Sequence, residues 1–359
     1  MEKNARPVRM LDVAESLGLS RATVSLVMRD SPLVAPATKD AVLRQAERLG
    51  YVYHRGAASL RTQSSDVVGL VMPDVINPFV SEVSVGAQDV LAEHGFFVVI
   101  ANTKDRLESQ RQVIRTMIEQ RVAGVITIPV LDTDGSHAPE LTQASVPIVL
   151  LTRDLPETGL PFVGPDDRAI GRIGARHLVD DHGCRTVAYF NGNTIAAPRI
   201  IRERSFRRAI GKSAEIIPEW NTPGAASLHS AYLKATELLD QVPPPEGLLC
   251  HSDAVAYGVL RALYEHGIGP DECRVLGIDN HGYAADRIPS LSTVAVYPGE
   301  LGRVSARTLL HRLGHQEVKP GKAPRPELIR RESCGCVAPP TRRRTKIKSR
   351  DRKPIRKAG

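Results

Sequence analysis

The chain has no long apolar run, no pattern that predicts a signal sequence, and an odd number of cysteines. No run approaches the roughly 20 apolar residues of a membrane span, and the polar N-terminus does not predict a signal peptide. The five cysteines are odd in number and scattered, which argues against a disulfide framework and favours a reducing cytoplasm. Cys334 and Cys336 stand one residue apart without a second pair, so their spacing predicts no zinc site.

Sequence signatures of catalysis are also missing. The chain has no Gly-x-Ser-x-Gly elbow, no phosphate-binding Walker loop and no His-Glu-x-x-His helix, and its eleven histidines show no metal-ligand spacing. No Gly-x-Gly precedes Gly171 and Gly174, which favours helix–sheet packing over a dinucleotide-binding loop. We therefore expect no enzyme activity, no cofactor and no metal.

The net charge of +8 is spread unevenly over the 359 residues. Residues 1–63 hold ten Lys and Arg against six Asp and Glu, residues 64–340 hold 28 against 33, and residues 341–359 hold ten against one. A mildly acidic body thus lies between two basic ends, and this length fits two or three domains. The tail 339–359 is expected to be disordered, and it either adds non-specific phosphate contacts or is a solvated extension without a task.

Residues 10–28 carry the pattern of two short helices joined by a tight turn. Met10 to Leu17 and Arg21 to Met28 space their apolar residues by three and four. Between them, Gly18 tolerates the left-handed conformation that stops a helix, and Ser20 can cap the next one. This arrangement predicts a helix-turn-helix, in which Ala14 is small enough for the helices to approach closely.

A third helix is expected to complete this small domain, which we place at residues 8–53. Pro36 suits its first position, and Gly50 can end it. Its predicted inner stripe consists of Val42, Leu43, Ala46 and Leu49.

The second helix is a candidate for entering the major groove of DNA. Arg21 and Ala22 in its first turn, and Leu26 one turn on, would then face base edges. Ser20, Thr23 and Ser25 carry short hydroxyl groups that suit phosphates. The alternatives that the spacing leaves open are a helical bundle that binds nothing and, for Leu26, a side chain that only packs.

Several motifs in order resemble the lactose-repressor (LacI/GalR) family of bacterial transcription regulators. Leu11-Asp12-Val13-Ala14, Gly18-Leu19-Ser20 and Ala22-Thr23-Val24-Ser25 are similar to that family's opening signature, and Leu49-Gly50-Tyr51 matches the end of its third helix. Residues 69–74 and Asn77-Pro78-Phe79 match the entry into its effector-binding core. The resemblance implies a DNA-binding regulator that acts as a repressor, and it favours the DNA-reading interpretation of Arg21–Met28.

The resemblance further implies a hinge at residues 54–66 that forms helices only on DNA. Leu60 matches the side chain that such hinges wedge into the minor groove, which bends the duplex. Here Tyr53-His54 replaces the family's usual Pro-Asn, and Gly56 disfavours a helix. The complete set of expected DNA contacts is Ser20, Arg21, Ala22, Thr23, Ser25, Leu26, Arg29, His54, Arg55, Ala57 and Leu60.

Residues 67–338 alternate short apolar strands with longer helical patterns, in one series from Val67 and a second from near Phe162. Continuous apolar strands between helices predict parallel sheets that are covered on both faces. We therefore expect an N-terminal all-α helix-turn-helix domain plus an α/β core of two doubly wound parallel-sheet lobes, similar to periplasmic binding proteins. Lobe 1 is placed at about 67–162 and 294–322, and lobe 2 at about 163–293 and 323–338.

Ligands of such sheets bind beyond the carboxyl ends of the strands. Polar residues there are more often turn formers or helix caps than ligands. The resemblance implies that Arg202 holds an effector hydroxyl or carboxylate, that Asp279 is an acidic ligand and that Phe79 is an aromatic wall. Thr152 and Ser252 depart from the family's common Asp and Asn. The expected effector contacts are Asp74, Asn77, Phe79, Thr152, Arg202, Ser252 and Asp279, and the expected effector is a sugar or sugar derivative.

The expected partners are an operator in double-stranded DNA, a small effector and a second copy of the chain. One helix-turn-helix gives weak specificity, so a homodimer on a near-palindromic operator is expected. The family's C-terminal leucine heptads, which form tetramers, are absent here. The alternative is a sugar-sensing module that acts through protein partners or a phosphoprotein corepressor.

Overall fold

In a computed structural model, residues 6, 8–53 and 65–336 are described, and they belong to two compact units that divide at residue 65. The hinge contacts His54, Arg55, Ala57 and Leu60 and the basic tail lie outside the described residues.

The N-terminal unit contains three helices: α1 Met10–Ser16, α2 Arg21–Met28 and α3 Pro36–Leu49. Gly18 and Gly50 both take positive φ angles, of 62° and 69°, and end α1 and α3 as expected. The core consists of Val13, Ala14, Val24, Val27, Val42 and Ala46.

Leu43 was expected in this core and is instead 51% exposed. The inward face of α3 follows Val42, Ala46 and Leu49, at spacings of four and three. One residue turns a helix by about 100°, so Leu43 points away from a stripe that already includes Val42.

The first lobe of the second unit contains a parallel sheet of five strands in the order β2-β1-β3-β4-β5. The strands are β1 Val67–Met72, β2 Phe97–Asn102, β3 Gly124–Thr127, β4 Ile148–Leu151 and β5 Phe162–Val163. The helices are α4 Pro78–Glu93, α5 Leu107–Glu119 and the short α6 Pro139–Thr142. Phe162, expected to begin the second series, therefore lies in the edge strand of the first sheet.

The expectation that the strands are covered on both faces is wrong for β2, at the other edge of this sheet. Val99 is 50% exposed and Ile100 45% exposed. An edge strand has a neighbour on one side only, and here apolar side chains remain in contact with solvent.

The second lobe contains a sheet of six strands in the order β11-β10-β9-β8-β6-β7. The strands are β6 Thr186–Phe190, β7 Glu215–Ile216, β8 Gly247–Cys250, β9 Arg274–Asp279, β10 Ser292–Ala295 and β11 Glu327–Ile329. The helices are α7 Asp167–Arg176, α8 Ala197–Ile210, α9 Leu228–Leu239 and α10 Asp253–Glu265. A π-helical turn, His177–Asp181, extends α7.

The expectation of a purely parallel second sheet is wrong at one edge, because β11 runs antiparallel to β10. Mixed sheets of this kind commonly carry an antiparallel strand at the edge.

Helix α11, Pro298–Arg312, follows β10 of the second lobe but completes the first. It packs against α4 so closely that a Cβ on Gly302 would lie 2.0 Å from the Val83 carbonyl oxygen. Its side chains Leu301, Val304 and Leu309 join the core of the first lobe. The lobes are therefore linked by chain crossings after β5, after β10 and before β11.

Over the described ranges, no helix combines the length and the apolar character needed to span a bilayer.

Candidate DNA-reading helix and effector cleft

The first turn of α2 is held by its own cap and exposes two side chains. The Thr23 amide donates to Ser20 Oγ at 3.0 Å, and the Ser20 and Thr23 hydroxyl groups lie 2.9 Å apart. This confirms Ser20 as the cap and satisfies an amide that would otherwise have no partner. Arg21 and Ala22 are exposed, so the capped first turn leaves these two side chains open to solvent.

The three remaining candidates on this helix differ in how exposed their side chains are. Ser25 is only 7% exposed, so the structure gives little support to its expected phosphate contact. Leu26 is half-buried, and among the described residues it is not part of the domain core. Arg29 is exposed, and its Nε donates to the Ser25 carbonyl at 3.1 Å, which places the guanidinium at the end of the helix.

In the second lobe, Arg202 lies at the centre of a buried polar group. Its Nε donates to Asp167 Oδ1 at 2.6 Å and its Nη1 to the His251 carbonyl at 3.1 Å. Although burial opposes the charge, the nearby Asp167, Tyr189 and Asp279 raise the pKa of Arg202. The guanidinium therefore stays charged where α7, α8 and the end of β8 meet.

A close approach of α7 to α8 makes this ion pair possible. A Cβ on Gly171 would lie 2.2 Å from the Arg202 carbonyl oxygen, so only glycine fits this position. Gly171 is one turn from Asp167, whose carboxylate thereby reaches Arg202. The sequence placed Gly171 in helix–sheet packing, whereas its closest neighbours are on α8. Gly174 does face the sheet, at Leu249.

Asp279 ends β9 beside the same group of side chains. It is 6% exposed and has a φ of 126°, a conformation that non-glycine residues rarely adopt. Burial and the neighbouring Asp253 raise the pKa of Asp279 well above its usual range, while Arg202 opposes the shift. Strained backbone of this kind is concentrated at functional sites.

Three residues of this lobe that sequence reasoning missed surround Arg202. The Tyr189 hydroxyl lies 2.8 Å from His251 Nδ1, and the Arg199 guanidinium lies 5.7 Å from the centre of the Tyr189 ring. Burial and the arginines nearby lower the pKa of His251 well below its usual range, so the imidazole is neutral and can accept from Tyr189. The available signal was position, because His251 directly follows β8.

The first lobe contributes Thr152 and Phe79 to the junction between the lobes. Thr152 follows β4 with a φ of 57° and lines a cleft of about 200 Å³ together with Phe162, Asp167 and Ile201. Phe79 is half-buried and packs against the hydrophobic cores of both lobes. Both lie where the two lobes meet.

The next residue, Arg153, is held by a carboxylate that sequence reasoning did not single out. Its Nη1 donates to Asp105 Oδ1 at 2.6 Å and to the Pro129 carbonyl at 2.8 Å. Arg153 is thereby fixed at the end of β4.

Three of the seven expected effector contacts have local structural roles. Asn77 caps α4 by accepting from the Phe79 amide at 3.0 Å, and Ser252 caps α10 by accepting from the Val255 amide at 3.3 Å. Asp74 is exposed and accepts from the Ile76 amide at 3.1 Å. These contacts match the alternative of turn formers and caps, and the structure brings Arg202, Asp279, Thr152 and Phe79 to the lobe junction.

Comparison with known proteins gives matches over most of the chain. Residues 9–53 match the lacI family of bacterial regulatory proteins, and residues 175–334 match a periplasmic binding protein-like domain. The ribose operon repressor of Halalkalibacterium halodurans is 31% identical over 86% of this chain and 90% of its own length.

Solved structures match as well. A lac repressor dimer bound to operator and the anti-inducer ONPF has a TM-score of 0.79 and 24% identity, covering 92% of this chain and 99% of that one. A complex of the transcriptional regulator CelR with cellobiose has a TM-score of 0.66 and 28% identity, covering 91% of this chain and 100% of that one.

Proposed function

This chain belongs to the LacI family of bacterial transcription regulators, and from that premise we propose that it is a repressor whose operator binding is controlled by a small polar effector. The observation that carries the DNA-binding part is the capped first turn of α2, which presents Arg21 and Ala22 to solvent on a packed three-helix domain. A helix presented in this way fits the major groove.

Each side chain of this turn has a distinct proposed role. Arg21 can donate two hydrogen bonds to one guanine, whereas the hydroxyl groups of Ser20 and Thr23 suit phosphates. Leu26 can offer only an apolar contact, such as one to a thymine methyl group. Arg21 is therefore the main source of base preference.

The DNA-binding proposal is tested by selecting bound sequences from random DNA with the purified full chain. We expect a near-palindromic site, because two copies of the chain would each read one half. Arg21→Ala should cost about 1–3 kcal/mol per half-site and relax one base position. Arg44→Ala, which removes the same charge from an exposed position of α3, is the matched control. Equal losses on all sequences for Arg21→Ala would refute its role in base reading.

The lobe junction supports a polyol as the effector. Arg202 supplies donors and Asp279 acceptors, and a carboxylate and a guanidinium together can bridge neighbouring hydroxyl groups. Buried acceptors and donors without a protein partner among the described residues also lie past the strand ends, at Asn191 Oδ1 and both ring nitrogens of His281. Leaving such atoms unpaired costs about 1–3 kcal/mol each, which a bound hydroxyl group would recover.

A thermal-shift screen of sugars, sugar phosphates and nucleosides tests the effector. We expect a polyol to raise the melting temperature of the chain, since a ligand that binds only the folded state stabilises it. Arg202→Met should abolish the shift, whereas Arg176→Met, an exposed arginine on α7, should retain it. A complete screen without a polyol hit would remove the sugar from this proposal.

The proposed working form is a homodimer, and the edge strand β2 supports it. Half-exposed Val99 and Ile100 form an apolar surface on the first lobe that a second copy would bury. A dimer also supplies the two half-site readers that a near-palindromic operator needs.

The effector is proposed to be bound and released unchanged. The ribose operon repressor that matches 86% of this chain is a regulator, and the residues at the lobe junction offer groups that bind and orient polar ligands. Incubation of the chain with a bound polyol, followed by product analysis, would reveal any turnover.

A further inference from the structure

Two histidines and two cysteines from distant parts of the sequence meet in the second lobe. His177 begins the π-helical turn after α7, and His182 caps its end. Cys334 ends a 3₁₀ turn, Glu332–Cys334, and Cys336 follows two residues later. One ligand atom from each of these four side chains lies within 4.8 Å of the other three.

Five distances between these atoms are close to the edges of a small tetrahedron, although the two sulfur atoms would separate by about 0.5 Å around an ion. His177 Nε2 lies 3.2 Å from His182 Nε2 and 3.3 Å from Cys334 Sγ. Cys336 Sγ lies 3.2 Å from Cys334 Sγ, 3.5 Å from His182 Nε2 and 3.8 Å from His177 Nε2. Bonds of about 2.3 Å to sulfur and 2.0–2.1 Å to nitrogen, at tetrahedral angles, give edges of about 3.3–3.8 Å.

The surroundings of His177 are those of a metal ligand. Its Nδ1 lies 2.8 Å from Asp181 Oδ2, and Arg330 Nη2 donates to the same oxygen at 2.8 Å. Metal-bound histidines usually donate their second ring N–H to a carboxylate, which orients the ring and fixes its tautomer. With the Nδ1 proton donated to Asp181, the Nε2 lone pair faces the two sulfur atoms and His182.

The cluster is protected from solvent on its inner side. His177 and Cys334 are buried, and His182 and Cys336 are half-buried. Cys334 belongs to the hydrophobic core that includes Leu178 and Val187. Two imidazole nitrogens 3.2 Å apart with both lone pairs directed inward repel each other unless a cation or proton lies between them.

We propose that His177, His182, Cys334 and Cys336 bind one zinc ion as a closed structural site. Two thiolates and two imidazoles are a common set for zinc, and four protein ligands leave no open position for a substrate. The ion would fasten the last described segment of the chain, which follows β11, to the end of α7. The proposal departs from the expectation of no zinc site, which considered only neighbours in sequence.

Metal analysis of the full chain, purified under reducing conditions and exhaustively dialysed, tests this proposal. We expect about one zinc ion per chain, and loss of it in Cys336→Ser and in His182→Asn. Cys273→Ser and His266→Asn are matched controls that should retain the metal, because Cys273 is a buried cysteine elsewhere and His266 also caps a helix. Equal zinc in the ligand variants and the controls would overturn the proposal.

A second measurement does not depend on the folding of any variant. Replacement of zinc by Co²⁺ in the unaltered chain should give the absorption bands of a tetrahedral thiolate site, and removal of metal by a chelator should lower the melting temperature. No metal in the chain and no cobalt bands would refute the proposal. A disulfide between Cys334 and Cys336 in protein kept reduced, detected as a mass loss of two hydrogens, would also refute it.

Discussion

The carboxyl group of Asp253 offers a sharp test of the electrostatics of the second lobe. It begins α10, is fully buried, and forms no ion pair with any described residue. Its Oδ1 accepts from the Thr293 hydroxyl at 2.6 Å and its Oδ2 from the His281 amide at 3.2 Å. Burial raises the pKa of Asp253 to about 7, although these hydrogen bonds oppose the shift.

This shift makes stability depend on pH with a definite sign. A folded-state pKa near 7, against 3.8 for the unfolded chain, means that the folded chain binds the proton more tightly. Its stabilising contribution is therefore complete below pH 4 and is lost as pH rises to about 7. A shift of about three units corresponds to at most about 4 kcal/mol, because one unit is about 1.4 kcal/mol.

Asp253→Asn removes the titrating group, so its stability relative to the unaltered chain should rise between pH 5 and pH 8. At pH 5 the carboxyl group of the unaltered chain is protonated and, like the amide, neutral, so the two chains should differ in stability by no more than about 1 kcal/mol. At pH 8 the unaltered chain contains a buried carboxylate, and the variant should then be more stable by about 1–3 kcal/mol. Urea unfolding at both pH values measures the difference.

The matched control is Asp132→Asn, because Asp132 is exposed in a loop. This substitution should change the free energy of unfolding by little, and by the same amount at both pH values. If Asp253→Asn lowers stability equally at pH 5 and pH 8, the carboxyl group is ionised across that range and the reasoning from burial is wrong.

Two further predictions concern packing and assembly. Gly171→Ala should lower stability by about 1–3 kcal/mol and weaken effector binding, because a Cβ there meets the Arg202 carbonyl at 2.2 Å. Gly183→Ala, where no atom lies within 4 Å but φ is 69°, controls for strain alone in urea unfolding and effector titration. Ile100→Asp should convert the dimer to a monomer in light scattering. Leu233→Asp, at a leucine of similar exposure on α9, should not, and equal behaviour of the two variants would exclude β2 from the interface.

The N-terminal domain was predictable because its signals are local. Gly18, Ser20, Pro36 and Gly50 each specify a backbone conformation by their own chemistry, and the structure places all four as expected. The prediction that Leu43 is buried was wrong because neighbouring residues such as Val42 and Leu43 both fit the apolar spacing of a helix. Spacing alone did not exclude Leu43.

The alternation of strands and helices in the core was predictable from the sequence, but the pairing of the strands was not. Which strand pairs with which depends on contacts between residues far apart in sequence, as for β11, which joins β10 after α11 has crossed to the other lobe. The same limit applies to the side chains around Arg202. Asp167 precedes it by 35 residues, and the packing of α7 on α8, which is close at Gly171, brings the two together.

The histidine–cysteine cluster shows this limit most clearly. His177 and Cys334 are 157 residues apart, so no spacing rule connects them. The antiparallel strand β11 returns the chain to the second lobe, and the 3₁₀ turn that follows places both thiols beside the π-helical turn. The feature of the fold that sequence reasoning did not anticipate is thus the one that assembles the proposed metal site.

The lobe junction unites the proposed effector site with the contacts that set the angle between the lobes. Glu82 of α4 accepts from the Gly282 amide of the second lobe at 3.0 Å, and Phe79 packs on both cores. Gly282 follows Asp279 by only three residues, so a ligand on Asp279 acts beside this cross-lobe hydrogen bond. An effector changes DNA binding only if it binds two arrangements of the lobes with different affinity. Because a single short segment carries both the proposed ligand carboxylate of Asp279 and the cross-lobe contact, we expect effector binding and the lobe angle to be coupled.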